Sequence, residues 1–198
     1  LVEGLPSILQ SPRLEGTVEL IVRRPEVGGR EEVSEGELSL ELGLMGDNWS
    51  ARGYKKTADG SAHPDMQINL MNARVISLIA RSRSRWKLAG DQFYVDLDLS
   101  KENLPPGTKL KIGDAVIEIT AEPHLGCKKF IERFGRVLGA QSDKGRERRC
   151  GRRDWQVGSR ISNSAAAKTH VASNAPLLHG TQLNEKWPEI WACFLAHV

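Results

Sequence analysis

The stretch Leu104–Thr120, LPPGTKLKIGDAVIEIT, decides the fold class. A Pro-Pro-Gly turn opens into TKLKIG, the pair Gly113-Asp114 turns the chain, and AVIEIT resumes the same alternation of apolar and polar residues. Proline presets φ and glycine admits the positive φ of tight turns, so two period-two runs joined by Gly-Asp read as a β-hairpin.

The same alternation extends outward from the hairpin. DQFYVDLDLS (91–100) puts Phe93, Val95, Leu97 and Leu99 on one face, with Asp96 and Asp98 on the other. TVELIVRRP (17–25) is a half-buried strand stopped by Pro25. MQINLMNARVISLIA (66–80) reads as a strand followed by a helix. GGREEVSEGELSLELGLMGDNW (28–49) reads as a charged turn, a short helix or strand and a Gly-Asp turn, and residues 50–65 are loop by composition. Short strands, glycine turns and no repeated strand-and-crossover-helix unit predict a mainly β, barrel-like fold with a few short peripheral helices.

Length and charge bound the rest. The chain has 198 residues, 39% of them hydrophobic, enough for one sizeable core. Its net charge of +3 is mild, but residues 128–153 carry ten Lys or Arg against Glu132, Asp143 and Glu147, a local excess of +7. Such a run suits phosphates, yet it lacks the interleaved aromatics of a single-strand nucleic-acid binder. The run SNSAAAKTHVASNAPLLHGTQ (162–182) is rich in Ser, Ala and Asn, while NEKWPEIWACFLAHV (184–198) places Trp187, Ile190, Trp191, Phe194, Leu195 and Val198 on one helical face. The expected organisation is a domain over 1–160, a linker-like segment over 161–180 and an amphipathic helix over 181–198. No apolar run reaches the roughly 20 residues of a spanning helix, and the first residues lack a secretory pattern, so a cytoplasmic protein is expected. Three scattered cysteines fit a reducing compartment.

One of them stands apart. In EPHLGCKKFIERFG (122–135), Cys127 lies between a strand-like run and a helix-like one. At a helix start, unpaired N–H groups and the macrodipole favour thiolate over thiol, and Lys128 and Lys129 add positive charge. Thiolate attacks electrophiles, carries sulfane sulfur or binds a soft metal; a lone intracellular cysteine is also a common small core residue. His124 is the candidate base, with a loop-capping role as its alternative. A zinc site of His124, Cys127 and Cys150 would need a fourth ligand.

GLMGDNW, MQINLMNARVISLIA, GDQFYVDLDLS, LPPGTKLKIGDAVIEIT and EPHLGCKKF, in that order and spacing from about Val18 to Gly135, resemble the MOSC domain family, named for the C-terminal domain of molybdenum cofactor sulfurase. The resemblance implies a barrel in which Cys127 faces a pocket. There it would carry sulfur as a persulfide or ligate molybdenum of a bound molybdenum cofactor (molybdopterin), as in relatives that reduce N-hydroxylated compounds. Lys128, Lys129 and Arg133 would hold the cofactor's phosphate, and His124, Asp47, Asn48, Arg52, His63, Asp96 and Asp98 would line the site, with a solvated or turn-stabilising role as the alternative for the last six. The implied partners are the cofactor or a small-molecule substrate and an electron-donor or sulfur-donor protein, with no membrane or nucleic acid and with a second copy of the chain as a further candidate. After Gly135 the sequence departs from the family: only DWQVGSRI (154–161) reads as a closing strand, and without closing strands the sheet would keep an open edge. The competing class is a non-catalytic binding module that uses the basic 128–153 segment and the C-terminal helix.

Overall fold

The computed structural model describes residues 4–122, 128–135, 156–163 and 168–180. Within them the hairpin forms as expected: β7 (Lys109–Ile112) and β8 (Ala115–Ile119) pair antiparallel, with Ile112 opposite Ala115 and Gly113 at φ +56° in the turn. Strand β1 is Glu15–Arg23, β5 Ile68–Asn72, β6 Phe93–Asp96, β9 Gln156–Asn163 and β11 Pro176–His179.

These seven strands close on themselves in the order β11-β7-β8-β9-β5-β6-β1, with β1 pairing back to β11 through Glu15–Thr17. All the pairings are antiparallel except β5 with β6, which are parallel and joined by a crossover through α3 (Ala73–Ala80). β2 (Glu31–Val33) adds to the far end of β1. A smaller sheet of β10 (Lys168–Ala172), β3 (Glu35–Ser39) and β4 (Gly43–Leu44) lies against the barrel core through Leu38, Leu44 and Val171.

Alternation decides which residues fill which core. Val18, Ile21, Ile68, Leu70, Phe93, Val95, Leu110, Ile112, Ile117, Ile119, Val157 and Leu177 point inward and are buried together. Their neighbours in register, Leu20, Val22, Met71 and Tyr94, point outward and are buried under Ile76, Trp86 and Phe130. This second core is built by α3, a 3-10 helix at Arg83–Ala89 and α4 (Lys128–Phe134). Two small helices, α1 (Leu5–Leu9) and α2 (Trp49–Arg52), lie in the leading segment and in the stretch read as loop.

The strand-then-helix reading of 66–80 is met by β5 and α3. The change of element falls on Asn72, whose Oδ1 accepts the Val75 N–H at 2.9 Å while Nδ2 donates to the Leu97 carbonyl at 2.7 Å. The strand read at 154–161 is met by β9, and the open edge that missing closing strands would leave does not arise. β9 runs two residues past the stretch read as a strand, and the segment 161–180, read as a linker, contains β10 and β11. Ser, Ala and Asn have low strand propensity, but β11 fills the slot between β1 and β7, and Leu177 there is fully buried. The amphipathic helix expected over 181–198 lies outside the described residues.

Candidate functional site

The end of the barrel where β1 finishes and β5 and β6 begin gathers an unusual number of guanidinium groups. Arg24 follows β1 on the outward face shared by Leu20 and Val22, and is buried. Its Nε and Nη2 donate to the two carboxylate oxygens of Asp47 at 2.7 and 2.8 Å, and its backbone N–H donates to Asp47 Oδ2 at 2.9 Å. This two-pronged geometry matches the planar fork of arginine to a carboxylate. Asp47 also accepts the Trp49 N–H at 3.0 Å, so one buried carboxylate orders the loop that carries Asn48 and starts α2.

A second anchor is the turn Leu88–Gly90, at the end of the 3-10 helix. Arg24 Nη1 donates to the Gly90 carbonyl at 2.8 Å, and Arg133 Nη1, from α4, donates to the Leu88 carbonyl at 2.7 Å. Gly90 holds φ +95°, and a Cβ there would lie 3.4 Å from Arg30 Nη2. One turn therefore meets Arg24 and, far from it in sequence, Arg133, and lies beside Arg30.

Electrostatics describe the same cluster. Burial lowers the Arg30 pKa first, followed by the charges of Arg133 and Arg24, with Tyr94 and Asp47 opposing. Arg52, exposed on the rim, is lowered by partial desolvation and then by Arg24, with Asp47 opposing. Like charges crowded in a partly dry place favour an added anion. The polar inventory agrees: Arg30 Nε, Asn48 Oδ1 and Asn69 Oδ1 are buried without a hydrogen-bond partner. Buried polar atoms are normally satisfied, so three open ones, one on an arginine of this cluster, point to a ligand with both acceptor and donor groups.

A histidine faces Glu122, just past the end of β8. His63 Nδ1 accepts the Asp65 N–H at 3.2 Å, which leaves Nε2 facing Glu122 Oε1 at 3.8 Å. Its ring meets Tyr54 edge-on at 5.6 Å. The strand exit is guided past this point by Thr120, whose hydroxyl donates to the Asp65 carbonyl at 2.7 Å. It also passes close to Gly158 of β9, where a Cβ would sit 3.0 Å from the Asp65 carbonyl and 3.2 Å from Thr120 Oγ1.

Of the residues proposed from sequence, Asp47, Arg52 and Arg133 converge on this end. Lys129 is exposed on α4, and Lys128 begins that helix. His124 and Cys127 lie outside the described residues, as does Cys150; among the described residues no three His, Cys, Asp or Glu side chains gather as a metal group. Asp96 is the last residue of β6, at its opposite end, and Asp98 follows it. Asp96 takes the Arg74 fork at 2.6 and 2.9 Å beside a cleft of about 380 Å³, and Asp98 caps the Ser100 N–H at 3.0 Å. Arg24 and Arg30 are the residues that sequence reading missed. The signal for Arg24 was its period-two relation to Leu20 and Val22, which puts a charge under an apolar layer; nothing comparable marks Arg30.

No protein-family model and no curated protein matches the chain. Solved structures do share its fold. A crystallised hypothetical protein superposes with a TM-score of 0.51 at 22% identity, covering 84% of this chain and 68% of the other. The YUAD protein from Bacillus subtilis superposes at 0.56 with 10% identity, covering 84% and 96%. YiiM from Escherichia coli superposes at 0.49 with 21% identity, covering 82% and 69%.

Proposed function

We propose that this protein is a MOSC-type domain that handles sulfur or holds a molybdenum cofactor through Cys127. The observation that carries the reading is the arginine cluster: Arg24 is paired with the buried carboxylate of Asp47, Arg30 and Arg52 feel its charge, Arg133 reaches the adjoining Leu88–Gly90 turn, and the Arg30 Nε is left without a partner. Such a cluster suits a terminal phosphate, because charge-assisted hydrogen bonds are roughly twice as strong as neutral ones. The open carbonyl oxygens of Asn48 and Asn69 suit the N–H edge of a pterin ring. Residues present therefore fit the group that the family resemblance implies.

In this reading Arg30, Arg52 and Arg133 bind the phosphate, and Arg24 is a positioning residue whose fork is already committed to Asp47. Cys127, one residue before α4, is the sulfur carrier or the molybdenum ligand, favoured as thiolate by the helix start and its lysines. His63 faces the exit of β8 and is the group placed to exchange a proton with a substrate there. The bound cofactor would supply two-electron chemistry at molybdenum, with an N-hydroxylated compound as the fitting substrate class.

The test is metal, pterin and mass analysis of protein made with molybdate in the medium. The expected result is molybdenum with a pterin, or one added sulfur atom on Cys127, lost in Cys127→Ser and reduced in Arg30→Met. Absence of all three, together with alkylation of Cys127 at the rate of a free peptide thiol, overturns the proposal in favour of a non-catalytic binding module.

A further inference from the structure

α3 ends at Arg81, which holds φ +62° while its N–H donates to the Ser77 carbonyl at 3.2 Å. Glycine is the ordinary occupant of a left-handed helix cap, and a long charged side chain there is strained. A strained residue whose side chain is exposed is a pointer to function.

The next elements continue the charge. Arg83 and Arg85 are both exposed on the 3-10 helix, and both are held in place. Arg83 stacks 4.2 Å from the Trp86 ring and donates to the Glu19 carbonyl at 2.6 Å. Arg85 lies 5.5 Å from the Phe134 ring and donates to the Arg133 carbonyl at 2.7 Å. Lys129 is exposed on α4, which packs against this helix. The lysine of the 3-10 helix, Lys87, is paired with Glu32 at 3.1 Å and adds no free charge.

We infer that Arg81, Arg83 and Arg85, with Lys129 beside them, form a docking surface for a protein partner with a carboxylate-rich face. Guanidinium groups already tied to a ring and a carbonyl lose little freedom on meeting a carboxylate, and they present it with a planar fork. Opposite charge also steers encounter and raises the on-rate. A nucleic acid fits less well, because Trp86 and Phe134 have guanidinium groups over them and offer no open face for base stacking. A membrane fits less well, because the large exposed apolar residues, among the described residues, belong to none of these elements. The surface stands independently of whether the arginine cluster at the barrel end holds a cofactor.

Binding of the full chain to a fluorescent poly-glutamate peptide, followed against salt, tests it. The variant Arg81→Ala/Arg83→Ala/Arg85→Ala is expected to bind about tenfold more weakly and with a flatter salt dependence. Lys55→Ala/Lys56→Ala/Lys109→Ala removes the same charge from other exposed positions and is expected to bind as the parent does. Should the arginine variant unfold, Arg81→Gly decides the matter: it relaxes the cap, so stability holds or rises while affinity falls about twofold to threefold. Equal weakening in the lysine variant, unchanged affinity in Arg81→Gly, or tighter binding of duplex DNA or phosphatidylserine vesicles than of the peptide overturns the inference.

Discussion

Tyr94 is a fully buried side chain at the centre of the outer core, and its hydroxyl donates to the Trp86 carbonyl at 2.8 Å. Burial, and then the charge of Asp91, push its pKa well above the ordinary 10.0. The unfolded chain ionises Tyr94 near that ordinary value while the folded chain resists, so the folded state is favoured fully below it and progressively less as pH rises through it. Stability measured by urea midpoint should therefore be flat at neutral pH and fall above about pH 10. Tyr94→Phe should lower the neutral value by about 1 kcal/mol, for the lost hydrogen bond, and fall less steeply on the alkaline side. An alkaline limb as steep as the parent's in that variant would place the titration elsewhere.

Elements are tied together at the candidate site by the pair Arg24–Asp47, which joins the end of β1, the loop before α2 and the turn at Gly90. The two side chains are 6% and 0% exposed, so neither charge can return to water when its partner is removed. Arg24→Met or Asp47→Asn should each cost about 3–5 kcal/mol in thermal or urea unfolding. The double variant Arg24→Met/Asp47→Leu should cost clearly less than the two together, because it leaves no orphaned charge. Additive losses would mean that the two residues act separately. The element boundaries themselves follow local rules: Asn72 ends β5 and caps α3 with the same side chain, and Gly113 turns the hairpin. The hairpin turn and the change from strand to helix within 66–80 were readable from residue type and spacing; the cap at Asn72 came from the structure.

For the whole molecule, closure depends on β11, which is four residues long and pairs with β1 on one side and β7 on the other. Leu177 is its fully buried residue. Leu177→Ala should cost about 2–5 kcal/mol, the usual range for a core leucine, in a single cooperative transition. A loss below about 1 kcal/mol would show that the barrel does not rely on that strand.

What the sequence determined by itself were the strands at β1, β5, β6, β7 and β8, the helix α3 and the mainly β class. Side-chain alternation and caps act over a few residues and are written in those residues. The stretch 154–161 read as a strand became β9, but tertiary structure alone decided β10 and the closure by β11, because a short strand is held by partners already in place on either side. It also decided the arginine cluster: positions 24, 30, 52 and 133 share no local pattern, and only the closed barrel, with α4 packed on its outer face, brings their charges to one end.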